Sequence, residues 1–311
     1  MRKIYRLTPS LHNNIWGGEK LHRYGKKSDL DRIGESWELS FVPGEEALTD
    51  EGIKTTEAFA RESWGENCKD FEFFPVLTKF IDAKEKLSVQ VHPSDEYALK
   101  NEGQYGKSEM WYVVEADEGA GLYMGLGREA SAEEFSKKVE DGTIEELLSF
   151  KPVKAGDVFF IPAGTIHAIG AGVLIYEIQQ NSTLTYRLYD YMRRDKAGNL
   201  RELHIEKAMK VSDLTPYREM SFDGDSHTIG KCKYFVTKKY ELENSSEAFY
   251  VCADSYLAIT AVEGNGILEY TDDNGGKICE NLTRGDSFFV PAGFGEVTAS
   301  GNMTLITVAT P

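Results

Sequence analysis

The sequence has little of what marks several large protein classes. Its 311 residues include only four cysteines, which stand far apart at positions 68, 232, 252 and 279 without a CxxC pair. This usage excludes a disulfide-stapled scaffold. No run reaches the roughly 18 apolar residues of a membrane-spanning helix, and no apolar segment follows the first basic residues as in a secretory signal. We therefore expect a soluble cytoplasmic protein.

Positive charge is also scarce. The chain has 35 Lys and Arg against 51 Asp and Glu, which gives a formal net charge of −16. An acidic field of this size opposes binding to DNA, RNA and anionic membranes, but a local cluster of cations can still hold a small phosphate ligand. The chain lacks both a P-loop and a G-x-G-x-x-G motif, so we predict no nucleotide site.

The composition that remains is that of a globular protein, with 41% hydrophobic and 28% charged residues. Such values exclude collagen, coiled coil and wholesale disorder. Short runs of Val, Ile, Phe and Tyr bounded by Gly, Pro and Asp are typical of strands. They occur at 111–114, 121–126, 157–161 and 173–178.

Helical patterns are few, at 55–64, 131–150 and about 203–211. In the second of these, Ser131 and Glu134 form a capping box, and Gly142 divides the segment into two short helices. We therefore predict an all-β fold with a helical insertion at about 128–150.

An internal repeat indicates two similar units. Residues 156–167 read GDVFFIPAGTIH and residues 285–296 read GDSFFVPAGFGE. Proline and glycine in such a pattern predict a strand, a tight turn and a second strand. The pattern resembles the second conserved motif of the cupin β-barrel, in which His167 occupies the place of a metal ligand and Glu296 replaces it in the second copy. We therefore expect two cupin-type, jelly-roll-like barrels: a catalytic domain at 1–215 and a degenerate cupin domain at 216–311.

Two polar segments predict a metal site near His167. In the run LSVQVHP, strand alternation places Gln90 and His92 on one face, opposite apolar residues. In the run GKSEMWYVV, Lys107 and Glu109 share a face in the same way. If the fold brings these segments together, two imidazoles, a carboxylate and an amide oxygen converge, a set that suits zinc first. The alternative is a polar core whose hydrogen bonds are satisfied without a metal.

Longer segments extend the resemblance beyond a fold. The residues at 33–40, 74–98, 106–113 and 162–191 look like type I mannose-6-phosphate isomerase, in detail over roughly 1–215. The resemblance implies a zinc-dependent aldose–ketose isomerase that interconverts mannose 6-phosphate and fructose 6-phosphate through a cis-enediol. It implies one zinc ion per chain, with ligands at Gln90, His92, Glu109 and His167.

The same resemblance places catalytic groups at Arg187, Lys107 and Glu177. Glu177 lies in an apolar strand, so we expect burial to raise its pKa towards a value useful for acid–base chemistry. The base remains open between Glu177, Lys107 and metal-bound water. The cations that could bind the substrate's phosphate are Lys79, Lys84, Lys86, Arg193 and Arg194.

Two other functions fit a cupin fold, because the fold alone does not determine chemistry. One is a different metal-dependent enzyme acting on a sugar or sugar phosphate, and the other is a non-catalytic sugar-phosphate-binding protein. Gln90 precedes His92 where an oxygenase would favour a second histidine, which disfavours that enzyme class. The complete set of ligands together with Arg187 disfavours a purely binding role. Nothing in the sequence specifies an oligomeric state.

Overall fold

The computed structural model describes residues 2–194 and 197–311, and these are mostly β-strand. The strands are β1 (Tyr5–Thr8), β2 (Ser10–His12), β3 (Glu35–Leu39), β4 (Leu48–Thr49), β5 (Val76–Ala83), β6 (Val89–Val91), β7 (Glu109–Ala116), β8 (Gly121–Leu126), β9 (Leu148–Pro152), β10 (Val158–Ile161), β11 (His167–Ile169), β12 (Val173–Gln180), β13 (Tyr186–Tyr189), β14 (Thr228–Lys231), β15 (Val236–Val251), β16 (Leu257–Thr271), β17 (Lys277–Thr283), β18 (Ser287–Val290) and β19 (Gly295–Ala309). The α-helices are α1 (Thr55–Ala58), α2 (Asp95–Asn101), α3 (Ala132–Glu140) and α4 (Ile205–Val211), and 3-10 turns occupy Lys20–Tyr24, Arg61–Ser63, Glu66–Cys68 and Ile144–Leu147.

Two antiparallel sheets form the first unit. One has the order β10-β7-β12-β5-β3-β2 and the other the order β13-β6-β11-β8-β9. Their inner faces share one apolar cluster, in which Trp111 and Ile175 of the first sheet join Leu122 and Ile169 of the second. Side chains that alternate inward from two such sheets build a common core, and the open end of that core can carry a site.

A third sheet forms the second unit, with the order β14-β15-β19-β16-β18-β1-β4 and β17 paired to β16. Two of its strands come from the beginning of the chain, since Tyr5 on β1 pairs with Phe289 on β18. The predicted all-β, jelly-roll-like fold is confirmed, with open sheets rather than closed barrels. The division at residues 215 and 216 stays a proposal.

The internal repeat has the same local structure in both copies. In the first, β10 ends at Ile161 and β11 starts at His167, and in the second β18 ends at Val290 and β19 starts at Gly295. The turn glycines Gly164 and Gly293 have φ of 90° and 77°, a conformation that glycine adopts without a steric penalty. Each copy therefore has a strand, a turn with a left-handed glycine, and a second strand.

The predicted helical insertion is confirmed as two short elements. The Oγ of Ser131 accepts a hydrogen bond from the peptide nitrogen of Glu134 at 3.2 Å, and a 3-10 turn follows Gly142. The helix predicted at 55–64 is shorter than expected, because only α1 and the turn at Arg61–Ser63 form. Helix α2 was not predicted. Within 2–194 and 197–311, the helices are all too short or too polar to span a membrane.

A buried chain of hydrogen bonds joins the two units beside β12. The hydroxyl of Tyr176 contacts Thr260 Oγ1 at 2.8 Å, and Thr260 Oγ1 contacts Ser287 Oγ at 2.9 Å. The Ser287 hydroxyl donates to Glu38, whose carboxylate is paired with the Lys26 ammonium at 2.7 Å. A buried polar group needs its hydrogen-bond partner, so a buried chain of such groups fixes the orientation of the strands that carry them. The second unit therefore holds the outer face of β12 in place.

The cap of α3 should contribute to stability without affecting the site. Ser131→Ala removes the side-chain acceptor at the helix start, so we expect a loss of about 1 kcal/mol in the free energy of unfolding. Urea denaturation measures this loss. Ser136→Ala, inside the same helix, is the matched control and should change stability by less than about 0.5 kcal/mol. Equal effects of the two substitutions would contradict the capping role.

Candidate metal centre

Cross-strand pairing in the five-stranded sheet lines up three polar residues. Gln90 on β6 pairs with His167 on β11 on one side and with Arg187 on β13 on the other. Residues directly opposite one another on neighbouring strands point to the same face. One row across this sheet therefore presents an imidazole, an amide and a guanidinium.

The six-stranded sheet presents a complementary row. Glu177 on β12 pairs with Lys79 on β5 and with Trp111 on β7. Two residues further along β12, Gln179 pairs with Glu109. This sheet supplies the carboxylates and a lysine, and the opposite sheet supplies the imidazoles.

His92, Glu109 and His167 form a compact cluster. One ligand atom from each lies within 4.8 Å of the others, and all three residues are buried. The Nε2 of His167 is 3.2 Å from Glu109 Oε1, and the Nε2 of His92 is 3.5 Å from Glu109 Oε2. Two histidines and a carboxylate at such spacing are a familiar set of ligands for zinc and similar ions.

Both imidazoles are oriented by a carbonyl oxygen behind them. His92 Nδ1 lies 2.7 Å from the carbonyl of Leu184, and His167 Nδ1 lies 2.9 Å from the carbonyl of Thr165. Because a carbonyl oxygen only accepts hydrogen bonds, each Nδ1 carries the proton and each Nε2 keeps its lone pair towards Glu109. A hydrogen bond from the ring to a carbonyl behind it fixes the tautomer that a metal needs.

Burial also keeps these histidines neutral. It lowers the pKa of His92 well below its usual range, and the positive charge of Lys107 lowers it further. Burial lowers the pKa of His167 to about 4. Neutral imidazole is the form that ligates a metal, so the cluster is ready to bind one at neutral pH.

Glu109 shows that these residues fit a cation. Both of its carboxylate oxygens are buried, the Lys107 ammonium contacts Oε2 at 2.6 Å, and Oε1 has no hydrogen-bond partner. Burial, followed by the charge of Glu177, raises the pKa of Glu109. A divalent ion between Glu109 Oε1 and the two Nε2 atoms would compensate for this desolvation.

Gln90 lies beside the cluster with its amide nitrogen inward. Its Nε2 donates to His167 Nε2 at 3.3 Å, and its Oε1 accepts from Ser88 Oγ at 3.3 Å. A half-turn of the amide would present Oε1 to an ion held by the other three residues. The predicted role of Gln90 as a ligand therefore requires this rotation and stays a prediction.

Lys107 connects the cluster to Glu177. Its ammonium contacts Glu109 at 2.6 Å and Glu177 Oε1 at 3.1 Å. Lys107 is buried, and its pKa is nevertheless raised because the two carboxylates outweigh its desolvation. The ammonium is therefore held in its charged form.

The expected rise in the pKa of Glu177 is wrong. Burial does raise it, but Lys107 and Lys79 more than offset that effect, and the pKa falls to about 2. The Nζ of Lys79 is 3.6 Å from Glu177 Oε1, the same oxygen that Lys107 contacts. Glu177 therefore has two cations beside it and stays ionised, which the apolar sequence around it did not indicate.

Lys79 is a site residue that sequence reasoning considered only for phosphate binding. It is 8% exposed and bridges Glu177 to Glu35, 3.5 Å away, which in turn accepts a hydrogen bond from Trp37 Nε1 at 2.6 Å. A lysine within the otherwise apolar run VLTKFIDA was the signal that could have identified it. Its partner depended on a strand register that the sequence does not show.

Arg187 adds a positive charge to the face of the five-stranded sheet that carries Gln90 and His167. Its peptide nitrogen donates to His204 Nδ1 at 3.3 Å, and its buried Nε has no hydrogen-bond partner. Burial and the nearby Arg201 lower its pKa, but an arginine remains charged. A half-buried guanidinium with an unpaired N–H is suited to bind an oxyanion.

The structure therefore gathers the seven residues predicted from the sequence. Six of them are joined by direct contacts, and Arg187 adjoins them through its register with Gln90. Their roles as ligands and catalytic groups remain predictions. The seven are Gln90, His92, Lys107, Glu109, His167, Glu177 and Arg187.

Comparisons with known proteins agree on one family. Residues 4–113 match the family model "Phosphomannose isomerase type I, catalytic domain", and residues 225–310 match "Mannose-6-phosphate isomerase, cupin domain". The mannose-6-phosphate isomerase ManA of Bacillus subtilis is 35% identical over 94% of this chain and 94% of its own length.

Solved structures show the same likeness. The crystal structure of the mannose 6-phosphate isomerase from Bacillus subtilis superposes with a TM-score of 0.87, at 33% identity, over 98% of this chain and 99% of that one. A mannose 6-phosphate isomerase bound with zinc and yttrium has a TM-score of 0.79 at 17% identity, over 99% of both chains. At that identity the second structure shows the shared fold alone.

The buried Lys107 should contribute much more to the free energy of unfolding than an exposed lysine does. Lys107→Met leaves two buried carboxylates without the ammonium between them, so metal-free protein should lose about 3 to 5 kcal/mol in the free energy of unfolding. Lys86→Met is the matched control, because Lys86 pairs with Glu145 at a partly exposed position and should cost about 1 kcal/mol or less. Guanidinium denaturation after chelation measures both, and similar losses would contradict the arrangement.

Proposed function

Because this chain belongs to the type I phosphomannose isomerase family, we propose that it interconverts mannose 6-phosphate and fructose 6-phosphate at the cluster of His92, Glu109 and His167. The observation that carries this proposal is the buried cluster itself, in which two neutral imidazoles face the Glu109 carboxylate beside the Lys107 ammonium. A metal site beside proton-carrying groups suits chemistry at a carbon next to a carbonyl.

The bound ion is proposed to be a single zinc held by His92, Glu109 and His167, with Gln90 as the fourth protein ligand. Two imidazole nitrogens and carboxylate and amide oxygens favour borderline ions such as zinc. When bound, it supplies a Lewis acid that stabilises negative charge on the sugar oxygens. The neutral histidines and the buried Glu109 support this assignment.

The reaction transfers a proton between neighbouring carbons of the sugar. A proton leaves C2 of the open-chain aldose and returns to C1, and a hydroxyl proton moves from O2 to O1, so the cis-enediol intermediate needs no oxidant. Glu177 and Lys107 are proposed to carry these protons. The ion pair between them lowers the pKa of Glu177 and raises that of Lys107, so either group can exchange a proton with the sugar only where the bound substrate weakens this pair.

Arg187 is proposed to bind the oxygen on which negative charge develops. Arg187 pairs with Gln90 in the strand register, and its buried Nε–H has no hydrogen-bond partner. Preorganised donors at such a position usually account for a large share of rate enhancement. The complete set of ligands and the presence of this arginine favour an enzyme over a protein that only binds the sugar phosphate.

The two units are proposed to have different roles, one catalytic and one structural. The segment at 1–215 carries every residue of the site, and the segment at 216–311 supports it. The hydrogen bond from Thr260 to Tyr176, next to Glu177, and the one between Thr260 and Ser287 support a structural role for the second unit. Its repeat motif has Glu296 in place of His167, which agrees with a unit that binds no metal of its own.

Chelation tests the proposed function directly. Purified protein should convert mannose 6-phosphate to fructose 6-phosphate, lose this turnover when its metal is removed, and regain it when zinc is restored. The measurements are product formation and bound metal on the same sample. Full turnover by protein shown to be free of metal would contradict the proposal.

His167→Ala tests the same site by removing one of the proposed metal ligands. It should lose metal and turnover together while the chain stays folded, as judged by circular dichroism. The matched control is His227→Ala, since His227 stacks on Tyr240 in the second unit and is not part of the cluster. Metal content and turnover of the control should stay within about twofold of wild type.

Arg187→Lys tests the oxyanion role without removing the charge. Lysine cannot reproduce the planar fork of donors, so kcat should fall about 10- to 1000-fold with a smaller change in KM. Arg128→Lys, at an exposed position paired with Glu134, is the matched control and should leave kcat unchanged. A raised KM with normal kcat would instead show that Arg187 only binds the substrate.

A further inference from the structure

Several segments of the chain meet at one carboxylate outside the metal cluster. Asp95 is the first residue of α2 and follows His92 by three positions. Its Oδ1 accepts a hydrogen bond from the peptide nitrogen of Gly106 at 2.8 Å and another from Gln180 Nε2 at 2.9 Å. Its Oδ2 accepts from the hydroxyl of Tyr234, which belongs to the second unit. One side chain therefore joins α2, the loop that precedes β7, the end of β12 and the second unit.

The loop that precedes β7 carries Lys107. The peptide nitrogen of Lys107 donates to the carbonyl of Pro93 at 3.0 Å, and Pro93 directly follows His92. A Cβ at Gly106 would lie only 2.4 Å from the carbonyl carbon of Ser94, so this close approach requires glycine. The backbone around Lys107 therefore packs directly on the backbone that follows His92.

Gln180 connects Asp95 to the same loop from the side of β12. Its Oε1 accepts from the peptide nitrogen of Ser108 at 2.7 Å, and its own peptide nitrogen donates to the carbonyl of Ser108 at 3.1 Å. Gln180 is 3% exposed and ends the strand that carries Glu177. Because Asp95 accepts from the amide nitrogen of Gln180, it fixes which end of that amide faces Ser108. Asp95 and Gln180 together therefore hold the loop against the end of β12.

A simpler role for Asp95 would be to stabilise α2. Acidic residues in the first turn of a helix interact favourably with the helix dipole, and both Asp95 and Glu96 occupy this turn. The carboxylate of Asp95, however, accepts from three donors outside the helix, and a charged acceptor makes such bonds stronger than a neutral one. Glu96 is exposed, so its substitution measures the dipole effect by itself.

We propose that Asp95 is a positioning residue for the isomerase reaction, acting through the loop that precedes β7 to place Lys107 and Glu109. Tyr234 is the contribution of the second unit to this position. Loss of the carboxylate would leave the peptide nitrogen of Gly106 without its acceptor and the Gln180 amide without its anchor. A shift of roughly 1 Å in a catalytic group can cost about 100-fold in rate. The inference rests on the proposed metal site and reaction.

Zinc titration against a competing chelator tests the placement of the metal ligands. Asp95→Ala should raise the dissociation constant for zinc at least about tenfold, as is usual when a residue that orients a metal site is lost. Asp95→Asn keeps Oδ1 and removes the charge, so it should stay within about threefold of wild type. Glu96→Ala is the matched control and should leave the affinity unchanged. Wild-type affinity in Asp95→Ala, or an equal loss in Asp95→Asn, would overturn the proposal.

Kinetics on zinc-saturated protein separate placement of the catalytic groups from binding of the sugar phosphate. Because Lys107 is displaced in Asp95→Ala, kcat for mannose 6-phosphate should fall at least about tenfold while KM changes by less than about threefold. Asp95→Asn should restore most of the kcat. A raised KM with normal kcat in Asp95→Ala would overturn the positioning role.

Hydrogen exchange of the metal-free protein measures the loop without relying on turnover. Residues 104–110 should exchange at least about tenfold faster in Asp95→Ala than in wild type, whereas residues 76–83 of β5 should change by less than about twofold. Uniformly faster exchange in both segments would show a loss of global stability and would overturn the proposal. Absence of zinc binding or turnover in wild type would instead count against the proposed function alone.

Tyr234→Phe keeps the aromatic ring and removes only the hydroxyl, so it tests the second unit in a variant that retains its packing. Exchange of residues 104–110 should be at least about threefold faster than in wild type, since one bond to Asp95 is lost. Tyr24→Phe is the matched control, because the Tyr24 hydroxyl donates to Glu115 at 2.9 Å near the other end of β7. Equal exchange of this loop in the two variants would overturn the role of Tyr234.

Discussion

Burial of like charges is the constraint on which the first unit depends. Glu109 and Glu177 point into the same interior, and neither could stay ionised there without a cation close by. Lys107 lies between them, and Lys79 lies between Glu177 and Glu35. Three carboxylates share these two ammonium groups, and burial together with the charge of Glu177 raises the pKa of Glu109. Glu109, next to the two histidines, is therefore the carboxylate whose charge a bound cation would stabilise most.

The register of strand pairing determines which face of each sheet these site residues point to. The row formed by Gln90, His167 and Arg187 belongs to one sheet, and the pair formed by Glu177 and Lys79 belongs to the other. A slip of one residue in either register would turn these side chains towards the opposite face. The buried hydrogen bond between Thr260 of the second unit and Tyr176 disfavours such a slip of β12. Fold and site are thus supported by the same contacts.

Much of this could be predicted from short-range patterns in the sequence. Strand alternation identified the shared face of Gln90 and His92, and the repeated turn identified His167, because both depend only on neighbouring residues. The pairing of Glu177 with Lys79 could not be predicted, since it depends on a register between strands about a hundred residues apart. For the same reason the pKa of Glu177 was expected to rise. The pairing of β1 with β18 was missed because it joins opposite ends of the chain.

The central claim is that one metal ion lies between His92, Glu109 and His167, next to the chain of alternating charges. Anomalous diffraction at the zinc absorption edge, on crystals of the zinc-loaded protein, tests it most directly. The account predicts a single strong peak at about 2.0 to 2.2 Å from both Nε2 atoms and from a Glu109 oxygen, with the Gln90 amide turned to present its oxygen. A peak elsewhere, or none at this cluster in protein that turns over substrate, would contradict it.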